Sequence, residues 1–210
     1  MSLRACGFAP WSLLLAAALA WTTVAHAQRL ERVTRSAQIA IVRDPGPYKV
    51  GARDPDVTIV EYFDYNCPFC RRLAPTLRRL LAEDPRLALI YKDWPVLGPA
   101  SVYAARCALA AAYQGKYLQA HDALLAGPRL SSDAEVEAVL GRAGIDVARM
   151  KADLRRHAVD IARVLNRNDD EARALALQGT PGLLVGRTLV PGIIGRADLH
   201  RLIAQARRRR

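Results

Sequence analysis

The sequence predicts an α/β fold interrupted by an inserted all-helical domain. Two observations carry this. A strand–helix–strand pattern covers residues 57–94 and a strand–strand–helix pattern covers residues 183–207. The roughly 80 residues between them show helical spacing and no strand signal. The composition agrees: 210 residues, 51% hydrophobic and 24% charged, suffice for one or two domains with a real core. They exclude a disordered chain and a collagen-like fibre. Four cysteines are too few for a disulfide scaffold.

The first 27 residues read as a cleaved signal peptide: Arg4, an apolar run from Leu13 to Ala20, then the small-x-small site Ala25-His26-Ala27. An uncleaved N-terminal anchor is the alternative. Cys6 precedes the apolar run, which argues against a lipid-bearing cysteine. Removing this leader lowers the formal charge from +11 to +10, because Arg4 is its one ionised side chain. No later segment reaches the roughly 20 apolar residues of a bilayer span, so the mature chain is expected not to cross a membrane.

Residues 28–53 read as a charged N-terminal arm with a helical turn over Leu30 to Val42, broken by Pro45 and Pro47. Asp54-Pro55-Asp56 is a turn. Val57 to Phe63 is apolar on both faces and reads as a central strand covered by helices on either side. Asn66 is the expected N-cap of a helix opened by Cys67-Pro68-Phe69-Cys70, with Pro68 tolerated in the first turn. Leu73, Leu77, Leu80 and Leu81 continue the helix, and Pro75 predicts a kink. Arg86 to Trp94 is the next strand, parallel to the first because a helix connects them.

An alanine-rich, buried helix follows from Pro99 to about Gln114, then one over Lys116 to Ala126. Ser132 and Glu135 form a capping box for a third, Asp146 caps a fourth, and a longer helix spans about Val159 to Leu177. Gly179-Thr180-Pro181-Gly182 is a turn. Leu183 to Val185 and Thr188 to Val190 make a hairpin around Gly186-Arg187, and a terminal helix runs from Arg196 to about Arg207. The positive charge is scattered and not interleaved with aromatic residues, so no nucleic-acid partner is expected. Arg207 to Arg210 suit a solvated helix C-terminus, with anionic lipid or partner contact as the alternative.

The chemistry concentrates in Cys67-Pro68-Phe69-Cys70. Cysteines three apart on a first helical turn share a face and can join as a disulfide. Cys67 lies beside unpaired N–H groups and the positive end of the helix dipole, which favour the thiolate that attacks disulfides. Cys70, deeper in the helix, can resolve a mixed disulfide. A plain local disulfide or half a zinc site are the alternatives, but no second ligand pair exists and no metal is expected. His121, His157 and His200 read as isolated surface or capping residues, and Cys107 as a small core residue. Glu61 sits mid-strand among apolar neighbours, six residues before Cys67, so burial should raise its pKa unless an ion pair or an exposed edge relieves it. Phe63, Tyr65 and Phe69 are candidates for an apolar rim around Cys67, or equally for core and cap positions.

The run from Val57 through Cys70, with Gly179-Thr180-Pro181 far downstream, resembles the DsbA-like branch of the thioredoxin superfamily over about residues 54–206. The resemblance implies a thioredoxin-like fold in two pieces, residues 54–97 and 177–210, with the all-helical domain of residues 98–176 inserted. It implies that Pro181 is cis and packs against the cysteine pair, and that Thr180, Pro68 and Phe69 contact substrate. It also implies that Glu61 shuttles the proton of the resolving thiol. Phe69 stands where the best-known oxidase of that branch has histidine.

The expectation is therefore an exported, periplasmic thiol–disulfide oxidoreductase, working as a disulfide-forming oxidase with Cys67, Cys70, Pro181 and Glu61 as its catalytic set. Its partners would be unfolded or thiol-containing exported proteins and an unidentified redox partner that recycles the disulfide. The two sulfurs need no cofactor. A disulfide isomerase or reductase of the same fold is one alternative. A non-catalytic copper-binding or chaperone module is another.

Overall fold

The computed structural model describes residues 31–43 and 48–209. The expected leader, its cleavage site and Cys6 lie outside the described residues. The elements run β1 (Glu31–Arg32), α1 (Arg35–Arg43), β2 (Lys49–Gly51), β3 (Val57–Phe63), α2 (Pro68–Glu83) and β4 (Leu87–Asp93). The helices α3 (Pro99–Ala111), α4 (Tyr117–Ala126), α5 (Asp133–Arg142), α6 (Val147–Arg156) and α7 (Ala158–Ala174) follow. The chain closes with β5 (Gly182–Val185), β6 (Thr188–Pro191) and α8 (Arg196–Arg208).

The strands form one sheet in the order β1-β6-β5-β3-β4-β2. β3 and β4 are parallel, as a helical crossover requires, and the other pairs are antiparallel. All seven residues of β3 and of β4 are buried. On one face Ile59, Phe63, Leu89 and Tyr91 pack with α2 and the helical insertion. On the other Val60, Tyr62 and Ile90 pack with Ile41 of α1 and Ala172 of α7. That two-sided cover explains the absence of polar alternation in these strands. One charge does lie on the second face: Lys92 is fully buried and its Nζ stands 2.9 Å from Glu171, which also accepts the Tyr62 hydroxyl at 2.9 Å.

Two sequence expectations change here. The segment read as an arm contributes both edges of the sheet, because Glu31 and Arg32 pair with Leu189 and Thr188, and Lys49 to Gly51 pair with Ile90 to Ala88. α2 continues past Pro75, which lies inside it. In the capping box, Ser132 accepts from the Glu135 N–H, but the Glu135 carboxylate reaches one residue further back, accepting from the Ser131 N–H at 2.6 Å. Asp146 caps α6 as expected, accepting from the Arg149 N–H at 3.0 Å.

Candidate active site

The site forms where β3 ends and α2 begins. Asp64 turns the chain there. It is buried, and one carboxylate oxygen accepts the Asn66 N–H at 2.7 Å and the Ser101 hydroxyl at 2.7 Å. The other accepts the N–H groups of Val96 and Leu97 at 2.8 and 2.9 Å. Four donors on three segments thus fix the turn that presents Cys67 and the loop after β4 beside it.

Cys67, rather than Asn66, occupies the N-cap of α2, and its side chain makes no capping hydrogen bond. Asn66 instead bonds the insertion: its amide donates to the Leu130 carbonyl at 3.0 Å, and its oxygen accepts the Leu130 N–H at 2.8 Å. Pro68 sits in the first turn, where its missing N–H costs nothing. Uncapped, the first-turn N–H groups remain free to face a sulfur anion.

Cys67 and Cys70 are free thiols of unlike character. The Cys67 pKa is lowered to about 6, first by a hydrogen bond from Cys70, against the opposing effect of burial. Thr180 and the backbone N–H groups of Cys70 and Phe69 add to that lowering. The Cys67 sulfur lies 3.2 Å from the Thr180 carbonyl oxygen. Cys70 is pushed far above the ordinary thiol range, first by burial, then by its hydrogen bond to Cys67 and the charge of Glu61. One thiol is acidic and the other holds its proton, so the pair is asymmetric.

Glu61 is fully buried, and both carboxylate oxygens lack a hydrogen-bond partner among the described residues. Burial first, and then the Cys67 charge, raises its pKa to about 8. In register it stands between Tyr91 of β4 and Leu183 of β5, so neither strand neighbour supplies a cation. The Thr180–Pro181 peptide bond is cis. Pro181 is buried directly before β5, and Gly182 follows because a Cβ there would stand 2.5 Å from Leu177 Cδ1.

Pro68 and Phe69 are exposed, and Phe69 carries the Arg72 guanidinium 4.7 Å above its ring. Phe63 and Tyr65 are buried, so of the three rim candidates Phe69 alone faces solvent. His121 is not a surface residue. It is 1% exposed, its ring packs against Phe63 and Tyr91, and its Nδ1 lies 3.4 Å from the Tyr65 hydroxyl. Burial holds its pKa down to about 3. His157 sits half-buried at the junction of α6 and α7, and His200 is exposed on α8. Cys107 is buried in α3, where burial raises its pKa to about 12.

Arg71 was not signalled by the sequence. Its guanidinium donates to the carbonyls of Tyr65 at 2.7 Å and Pro128 at 2.8 Å, and to that of Gly127, so it clamps α2 to the insertion. Among the described residues no cluster of three or more histidine, cysteine or acidic side chains could hold a metal, and no helix is long and apolar enough to cross a membrane.

The solved structures similar to this chain include a thioredoxin-like oxidoreductase from Silicibacter pomeroyi. It is 33% identical, with a TM-score of 0.76, over 84% of this chain and 99% of that one. The thiol-disulfide exchange protein alpha-DsbA2 of Wolbachia pipientis is 26% identical, with a TM-score of 0.73, over 80% and 94%. A Na(+)/H(+) antiporter NhaA 1 of Salinispora arenicola is 33% identical over 139 residues, 64% of this chain. The chain spans only about a fifth of that antiporter's length, 21%. The family model for a DSBA-like thioredoxin domain matches residues 58–204, from β3 into α8, with the helical insertion inside the match. The chain belongs to the DSBA-like thioredoxin domain family.

Proposed function

We propose that the protein is an exported thiol–disulfide oxidoreductase that oxidises thiols of other exported proteins through a Cys67–Cys70 disulfide. The observation that carries this reading is the asymmetry of the two sulfurs. Cys67 is acidic at about 6 and Cys70 is held protonated, on one helical turn beside the cis Thr180–Pro181 bond. In the oxidising direction a substrate thiolate attacks Cys67 Sγ, and the disulfide breaks with its electron pair going to Cys70. Cys70 takes up a proton, which Glu61 can supply because its carboxyl is still protonated at neutral pH. A second substrate thiolate then attacks the substrate sulfur of the mixed disulfide, and Cys67 leaves as thiolate. The substrate loses two electrons and two protons and the protein gains two electrons. A thiolate stabilised in the reduced protein makes the disulfide more oxidising. The thioredoxin-like domain comprises residues 54–97 and 177–210, with residues 98–176 inserted.

A reductase or isomerase direction is the second reading, favoured by Phe69, whose ring offers the Cys67 thiolate no hydrogen bond. Thr180, Pro68 and Phe69 border Cys67 and are assigned to substrate contact. The recycling partner is a separate redox protein. Residues 1–27 serve as the export signal to the periplasm, so mature protein recovered there begins at Gln28. The activity test incubates oxidised protein with reduced, unfolded ribonuclease. Recovery of ribonuclease activity, lost in Cys67→Ser, supports the oxidase. Recovery only from scrambled ribonuclease, with reduced protein, supports the isomerase. Activity retained in Cys67→Ser overturns both.

A further inference from the structure

The end of the sheet remote from Cys67 carries a second concave site. A cavity of about 420 Å3 opens between α1, the sheet edges, the β5–β6 hairpin and the C-terminus of α8. Six cationic side chains from four separate stretches of sequence line it: Arg32, Arg35, Lys49, Arg53, Arg187 and Arg209. Charges that look scattered along the chain therefore converge in space. Only two carboxylates among the lining residues oppose them, Asp54 and Asp56. Asp56 is already engaged, accepting from Arg207 Nε and Nη2 at 2.8 and 2.9 Å and standing 3.3 Å from Arg86. Arg32, Arg35, Arg53 and Arg209 have no ion-pair partner among the described residues. Two of the cations are oriented by the backbone: Arg187 Nε donates to the Val33 carbonyl at 3.1 Å and Lys49 Nζ to the Arg53 carbonyl at 3.0 Å.

Like charges gathered in a concavity repel one another and focus a positive potential there, which a bound anion relieves. Guanidinium forks match phosphate oxygens two at a time, and a cavity of this volume admits a small phosphorylated molecule or a single lipid headgroup. We infer that this cavity binds a phosphate-bearing ligand with at least two negative charges or the headgroup phosphate of an anionic lipid. Val57 and Thr58, at the start of β3, line the cavity, whereas Cys67 follows the strand's far end. At ~3.3 Å per residue the strand separates the two sites by about 20 Å, so a bound ligand leaves the sulfurs uncovered.

The test uses the full mature chain at low salt. Calorimetry measures binding of inorganic pyrophosphate, with citrate as the polycarboxylate control, and co-sedimentation uses phosphatidylglycerol and phosphatidylcholine vesicles. Arg35 and Arg53 are exposed and bear no side-chain hydrogen bond to the described residues, so Arg35→Ala/Arg53→Ala keeps the fold, checked by its melting temperature, and keeps the rate of insulin reduction. Saturable pyrophosphate binding, weakened about tenfold or more in the double variant, supports a soluble ligand. Binding to phosphatidylglycerol vesicles that pyrophosphate displaces and the double variant loses supports a headgroup. Absence of saturable binding in both arms overturns the inference. So does binding that the double variant retains, or citrate binding as tight as pyrophosphate.

Discussion

Replacing Cys70 by alanine removes the neighbour whose hydrogen bond does most to hold Cys67 near 6. A hydrogen bond to a charged group contributes about 1.5–3 kcal/mol. One pKa unit corresponds to about 1.4 kcal/mol, so the Cys67 pKa in Cys70→Ala should rise by about one to two units. At pH 7 the thiolate fraction then falls from about nine-tenths to between about a half and a tenth. The remaining contributions from Thr180 and the N–H groups of Phe69 and residue 70 persist, which keeps the value below that of a free thiol. Ultraviolet thiolate absorbance and the alkylation rate with iodoacetamide, both followed against pH, measure the midpoint. Cys70→Ala also leaves one sulfur in the site, so the signal belongs to Cys67 once buried Cys107 is removed as Cys107→Ala. A midpoint that stays near the wild-type value refutes the role given to Cys70 and leaves the helix terminus as the cause.

Other outcomes follow from the same geometry. Glu61→Gln should slow resolution of a mixed disulfide and abolish any dependence of that step on a group titrating near 8. The same substitution tests linkage. The raised folded-state pKa of Glu61 contributes stability that is fully present below about 4.5 and lost as pH rises through about 8, so urea stability falls less over that window in Glu61→Gln than in wild type. His121 has the opposite sign: its lowered pKa contributes stability present above about 6.5 and lost as pH falls towards 3, and His121→Leu should remove that acid sensitivity in the same urea series. Asp64→Ala strips the acceptor from four donors and should cost about 2–4 kcal/mol in urea unfolding while lowering the rate of insulin reduction.

β3 was legible because a seven-residue run of mostly apolar side chains can only sit between two covering layers. The cysteine pair was legible because its spacing and its place after that strand set its chemistry. β1 and β2 were not. They are two and three residues long, their composition is charged, and they are strands only because β6 and β4 offer open edges. The roles of His121, Arg71 and Asn66 escaped for a related reason. Each acts across the junction between α2 and the insertion, with partners 56 to 64 residues away in sequence. Local periodicity carries no trace of such pairs. Glu61 was legible as a misfit, one carboxylate in an apolar strand, and its lack of any hydrogen-bond partner among the described residues sharpens the misfit.

The central claim is that Cys67 alone captures a partner sulfur and Cys70 releases it. Mass spectrometry after incubating Cys70→Ala and Cys67→Ala with a disulfide-bonded peptide tests it directly. The account predicts a lasting peptide adduct on Cys67 in Cys70→Ala, none on Cys70 in Cys67→Ala, and only a transient adduct in wild type. An adduct that forms as fast on Cys70, or one on Cys67 that persists in wild type, would contradict it.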